Sequence, residues 1–195
     1  MTITLKTLLA ALPADDILAV HGDDATLITA PVSESAQTVE RGGVFVARKG
    51  RSTDGHDFIA QAVERGAALI VGEHDLTNIA VPYVRLRDPW AALGHLAAAY
   101  HGFPARKLTL LGVTGTDGKT TTSTLIHSIL KAANGTTGTI TTVNADLGGA
   151  TTDTGLHVTT PTAPEVHAYL AQMVENGLTH AVLESTSHGL AQGRL

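Results

Sequence analysis

The sequence predicts an α/β fold in two parts, and three observations carry that prediction. Short apolar runs rich in branched or aromatic side chains, such as Val44-Phe45-Val46-Ala47 and Ala181-Val182-Leu183, alternate with stretches whose apolar residues recur every three or four positions. The first pattern reads as buried strand and the second as one helix face. Between Leu108 and Leu130 an apolar run leads into a glycine loop, a lysine, four hydroxyl residues and a helical stripe of Leu125, Ile126, Ile129 and Leu130, which Asn134-Gly135 ends. Asp88-Pro89, ahead of Trp90, Leu93, Ala97 and Tyr100 and stopped by Gly102 and Pro104, marks a further helix. These signals place a small first domain at 1–87, a helical linker at 88–107 and a second domain at 108–195.

In chain order, Leu5, Leu8, Leu9 and Leu12 form a helical stripe ended by Pro13. His21 to Asp24 reads as a turn and Ala25 to Ile28 as a short strand. Val44 to Ala47 is a strand, Arg48 to Gly55 a basic and polar loop, and Phe58 to Arg65 a helix closed by Gly66. Ala67 to Val71 and Val81 to Leu86 are two more strands. In the second domain, Gly138 to Val143 is a strand, and the Gly-, Thr- and Asp-rich stretch from Asn144 to Gly155 is a loop. Thr162 and Glu165 have capping-box spacing and open a helix with Val166, Leu170, Met173 and Val174 on its face, ended by Asn176-Gly177. Trp90 and Tyr100 read as packing residues rather than ligand contacts.

The 195-residue chain has a formal net charge of −5 and no cysteine. Disulfides and thiolate metal sites are thereby excluded, and nothing in the charge balance suggests nucleic acid. No apolar run approaches membrane-spanning length, and the N-terminus lacks a signal-peptide layout, so a cytoplasmic enzyme acting on small molecules is the expectation. The ten histidines show no zinc-ligand spacing.

The chemistry concentrates in Gly115-Thr116-Asp117-Gly118-Lys119-Thr120-Thr121. With Val113 five positions before Gly118, the loop is G-x-x-G-K-T rather than the strict G-x-x-x-x-G-K-[ST]. Glycines let successive N–H groups face one concavity, and the helix that starts there adds unpaired amides and a positive dipole end. Lys119 is placed to neutralise the β- and γ-phosphates of ATP and the Thr120 hydroxyl to ligate Mg2+. Glu184 closes the strand Ala181-Val182-Leu183. A carboxylate at such a strand end is placed to hold Mg2+ against a triphosphate. His188, in a Ser/Gly loop, reads as a structural hydrogen bonder rather than a metal ligand.

GVTGTDGKTTT, VTTPTAPE and LESTSHGLAQGRL together resemble the Mur ligase family, most closely its diamino-acid-adding branch, and GGVFVARKGRSTDGHDFIAQAVERGA is similar to that branch's UDP-binding first domain. The resemblance implies a small UDP-binding-type α/β domain followed by a P-loop central domain that is truncated here. It implies an ATP-dependent amide ligase of peptidoglycan precursor synthesis. ATP phosphorylates the glutamyl carboxylate of UDP-MurNAc-L-Ala-D-Glu, and the amine of diaminopimelate or lysine attacks the acyl phosphate. Lys119 and Glu184 become the catalytic residues, Gly115 to Thr121 the ATP site, and Thr120 and Glu184 the metal ligands. Ser35, Thr159, Thr160, Thr186, Gln192 and Arg194 match positions that contact the nucleotide-sugar peptide.

Three departures from the family pattern stand out. Asp117 replaces an asparagine and sets a negative charge beside the triphosphate, which weakens binding unless the side chain turns away. Glu34-Ser35-Ala36 stands where the family has Asp-Ser-Arg. The sequence ends inside the central domain, before the family's carbamylated lysine, D-H-x-D element and third domain, so the expectation is a fragment inactive by itself. The other expectation is a non-catalytic nucleotide-binding module or partner subunit; a generic P-loop hydrolase fits less well, since no base for water is evident.

Overall fold

The computed structural model describes residues 1–50, 53–149, 151–153 and 161–194. The chain divides into two compact units, Met1–Tyr100 and His101–Leu195. Residues 88–107, expected as a linker, are shared between them: the helix Pro89–Tyr100 belongs to the first, and the 3-10 turn Pro104–Lys107 to the second.

The first unit begins with β1 (Ile3–Thr4) and α1 (Leu5–Leu9), where Thr4 caps the helix by accepting the Thr7 N–H at 3.2 Å. It continues through β2 (Ile17–His21), β3 (Leu27–Ile28), β4 (Val32–Ser33), β5 (Val44–Val46), α2 (Ile59–Glu64), β6 (Leu69–Gly72), β7 (Tyr83–Leu86) and α3 (Pro89–Tyr100). A five-stranded sheet runs in the order β2-β7-β6-β5-β4, parallel except for β2. β5 and β6 are buried throughout because both faces are covered, as parallel strands require. Phe45 and Ile70 share one face with Ala62 of α2 and with Tyr83. Val44, Val46, Leu69 and Val71 alternate to the other face, and α3 packs against α1 and β4. Asp88 caps α3 by accepting the Trp90 and Ala91 amides at 2.9 and 3.1 Å.

β2 is not among the elements expected from sequence. It is an antiparallel edge strand with Leu18 and Val20 exposed, so its short mixed pattern does not stand out from a connection.

The second unit contains β8 (Thr109–Val113), α4 (Lys119–Asn134), β9 (Thr137–Ile140), β10 (Asn144–Asp146), β11 (Thr151–Asp153), α5 (Ala163–Glu175), β12 (His180–Glu184) and α6 (Ser187–Ala191). The sheet order is β11-β10-β9-β12-β8; β9, β12 and β8 are parallel, and β10 and β11 add on antiparallel. Val166, Leu170 and Met173 of α5 meet Ile140, Ala181 and Leu183 in the core. Thr162 and Glu165 complete the expected capping box, and Gly135, at φ 70°, closes α4 by donating to Lys131 O.

Four expectations change. The stretch from Asn144 is not a loop, because β10 and β11 pair there; strand pairing uses backbone groups, and Asp146 Oδ1 accepts the Gly148 N–H at 3.0 Å to start the turn. Ser187 to Leu190 lies in the helix α6 rather than a loop, nucleated by Thr186 Oγ1 accepting the Gly189 N–H at 2.9 Å. β8 lies at the sheet edge and is largely exposed rather than buried. On α4, Leu125 and Ile129 are 59% and 66% exposed, while Ser123 is buried and Ile126, His127 and Leu130 are half-buried. Two bonds hold this rotation: Thr120 Oγ1 to Glu184, and His127 Nε2 to Thr137 O at 3.1 Å. Among the described residues no helix is long and apolar enough to cross a membrane.

Candidate functional site

In the second unit, β12 lies between β8 and β9, so the chain leaves β8, crosses by α4 to β9 and returns to fill the gap. That reversal makes a crevice at the carboxyl ends of β8 and β12. Thr114 to Gly118 leave the end of β8 and enter α4 at Lys119. Gly118 sits at φ 78° as the helix N-cap, a left-handed conformation that a side chain would strain. The first-turn N–H groups of α4 have no carbonyl within the helix to receive them. Thr116 to Thr121 and Glu184 line an open cleft of about 240 Å³.

The polar contacts in this cleft are specific. Lys119 Nζ donates to Gly115 O at 3.0 Å and Thr116 O at 3.2 Å, bending back over the loop. Thr120 Oγ1 donates to Glu184 Oε2 at 3.0 Å, and the Thr142 amide donates to the same oxygen at 3.1 Å. Glu184 is 4% exposed, so these donors replace water around its carboxylate. Thr142 was not foreseen, and as a backbone group it leaves no mark in the sequence. Thr141 sets it in place: its Oγ1 accepts the Val143 and Asn144 amides at 3.3 and 3.2 Å, fixing the turn after β9. Asp117 is exposed on the loop.

The remaining described candidates do not line this cleft. Thr186 is the N-cap and Gln192 the C-cap of α6, whose Gly189 O accepts the Arg194 N–H at 2.9 Å. His188 is exposed on α6. Thr159 and Thr160 lie outside the described residues. Ser35 belongs to a different cleft, in the first unit, of about 320 Å³.

One histidine cluster escaped the sequence spacing. Asp54, His56 and His74 converge within 4.8 Å, and the two rings stack at 3.7 Å between centroids. His56 Nε2 accepts the Glu73 N–H at 3.1 Å, so its proton sits on Nδ1 and is donated to Asp54 Oδ1 at 2.6 Å. Both ring nitrogens are thus spent, which leaves His56 no lone pair for a metal ion. Tyr83, whose phenol burial pushes up to about 12, donates to His74 O at 2.7 Å. The cluster is a structural clasp. The His56 backbone amide, then its ring N–H, holds the Asp54 carboxyl below the ordinary value of 3.8. With the folded value below the unfolded one, Asp54 contributes stability that is fully present above about pH 4 and is lost as pH falls through the folded value. Denaturant unfolding of the protein and of Asp54→Asn at a series of pH values should show a gap at pH 7 that closes in acid. A gap unchanged down to pH 2 would contradict this assignment.

Fold and loop together define an α/β protein with a glycine loop between strand and helix at the switch point of its second sheet. Family models agree on where it belongs: "Mur ligase family, catalytic domain" matches residues 31–101 and "Mur ligase middle domain" matches 113–195. The chain belongs to the Mur ligase family. It is similar to the UDP-N-acetylmuramyl-tripeptide synthetase of Roseiflexus sp. (strain RS-1), with 45% identity over 83% of this chain and 32% of that protein. It is also similar to the UDP-N-acetylmuramoyl-L-alanyl-D-glutamate--2,6-diaminopimelate ligase of Bacillus cereus, with 37% identity over 98% of this chain and 38% of the other. The chain therefore spans about a third of the length of these curated relatives. Among solved structures, one of a UDP-N-acetylmuramoyl-L-alanyl-D-glutamate--2,6-diaminopimelate ligase shares the fold at a TM-score of 0.76 and 24% identity, covering all of this chain and 38% of that one. The MurF ligase of Thermotoga maritima in complex with ADP matches at a TM-score of 0.54 and 28% identity, over 82% of this chain and 33% of that one.

Proposed function

We propose that this chain is part of an ATP-dependent amide ligase of peptidoglycan precursor synthesis, acting in the cytoplasm on small-molecule substrates. In this reading the second unit holds ATP and Mg2+, and the first unit holds the nucleotide end of a UDP-muramoyl dipeptide. The observation that carries it is the convergence of Lys119, Thr120 and Glu184 on one cleft at the mouth of a glycine loop. The names of the relatives and the ADP complex of a structural neighbour support the same reading.

Each group has a separate task. The loop and first-turn amides receive phosphate oxygens, and Lys119 exchanges its two carbonyl contacts for the β- and γ-phosphates. The Thr120 hydroxyl and the Glu184 carboxylate are hard oxygen donors 3.0 Å apart, a donor set that suits Mg2+. When bound, magnesium supplies neutralisation of charge on the transferring phosphoryl group. The γ-phosphoryl group passes to a carboxylate oxygen with release of ADP. The amine nitrogen then forms the new C–N bond and phosphate leaves. Thr159, Thr160, Thr186, Gln192 and Arg194 are assigned to the sugar-peptide substrate, and Ser35 to its nucleotide. The Arg194 guanidinium suits an anion because its planar fork can bind two oxygens at once.

Calorimetric titration of ATP into this chain, first with magnesium and then with EDTA, tests the reading. Saturable binding at one site is expected, at least about tenfold weaker without the metal. A folded chain that takes up no ATP in either condition would overturn the proposal.

A further inference from the structure

The element Glu34-Ser35-Ala36 lacks the arginine that the family resemblance leads one to expect, and the structure shows what stands in its place. Ala36 is 5% exposed and packs into the core with Phe45 and Tyr83, so that position serves the interior. A guanidinium nevertheless lines the cleft beside Ser35. Arg48, two residues beyond β5, forms an ion pair with Glu34, and its Cζ lies 3.5 Å from the centroid of the Trp90 ring. Trp90 donates its Nε1–H to Lys49 O at 3.2 Å, which ties the indole to the segment that carries the arginine. The pair's side chains are 17% and 23% exposed, so the contact is largely shielded from solvent.

Charge and shape limit what this cleft takes. Among its described lining residues only Glu34 and Arg48 are charged, and they cancel. A balanced pair has little net attraction for a diphosphate. A guanidinium stacked on an indole, with Phe58 nearby and hydrogen-bonding ends from Ser35 and Gln61, suits a planar uncharged ring with polar edges. We infer that Arg48, held by Glu34 and Trp90, is the nucleobase-recognising residue of this chain, supplying from the end of β5 the guanidinium that position 36 lacks. The inference rests on the reading that the first unit receives the nucleotide end of the substrate.

Trp90 is the only tryptophan in the sequence, so its emission reports this cleft directly. Uridine and UDP are titrated into the unaltered chain and into Arg48→Ala, followed by Trp90 fluorescence and by calorimetry, with thermal melting as the folding control. In the unaltered chain the two ligands should bind within about threefold of each other, because the ring carries the recognition. Arg48→Ala should weaken both about tenfold or more and leave ATP binding unchanged. Arg48→Lys keeps the charge but not the planar stack, and should recover little of the loss. Should Arg48→Ala fail to fold, Trp90→Phe read by calorimetry carries the same test, with weakening of both ligands expected. A folded Arg48→Ala that binds both as well as the unaltered chain sinks this inference and leaves the nucleotide reading standing. Binding of UDP with rejection of uridine assigns the contact to the diphosphate and overturns base recognition. If the unaltered chain binds neither ligand, both readings fall.

Discussion

Lys119→Ala should reduce ATP affinity about a hundredfold while leaving the fold intact. The ammonium makes charge-assisted contacts, which are about twice as strong as neutral ones, and two of them account for a loss of that size. Its contacts in this structure are the loop carbonyls Gly115 O and Thr116 O, neither of which depends on the lysine for its place in the sheet or the core. A substitution at this half-buried first residue of α4 should move stability by no more than about 0.5 kcal/mol. The measurement is an ATP titration beside a denaturant melt of the same sample. Full ATP affinity in the variant would remove Lys119 from the site. A collapse of stability would make it a structural tie between loop and helix.

Glu184 gives the second large effect, and here stability and binding separate by choice of substitution. Glu184→Ala removes the acceptor of the Thr120 hydroxyl and of the Thr142 amide in a place where water has little access. Leaving those donors unsatisfied should cost about 2 kcal/mol. Glu184→Gln keeps an oxygen in place and should fall within about 1 kcal/mol of the unaltered protein, yet lose the magnesium dependence of ATP binding because the charge is gone. Denaturant melts and ATP titrations at several magnesium concentrations check both variants. If Glu184→Gln kept the full magnesium response, the carboxylate would belong to the fold alone.

Sequence reasoning reached furthest where the cause is local. Asp88 ahead of α3, the Thr162–Glu165 box ahead of α5 and Gly135 behind α4 each work within one turn of backbone, so their spacing alone announces them. The glycine loop is legible for the same reason. Glu184 needed one further step, the rule that strand ends face the crevice, and its partner Thr120 lies 64 residues away. What stayed hidden depends on packing between distant elements. The rotation of α4 turns Leu125 and Ile129 outward because Thr120 and His127 are both anchored on the inner side. The Thr142 amide carries no side-chain signature at all. Arg48 read as part of a basic loop and Trp90 as a packing residue, and only their stacking shows that they act as a pair.

In the proposed function the glycine loop and Glu184 grip a nucleotide's phosphates between them. A structure determined with a non-hydrolysable ATP analogue and magnesium decides whether they do. Phosphate oxygens are expected on the amides at the start of α4, with Lys119 Nζ moved from Gly115 O and Thr116 O onto the phosphates and the metal beside Thr120 and Glu184. A nucleotide bound elsewhere, with Lys119 still folded onto the loop carbonyls, would remove the loop and Glu184 from nucleotide binding.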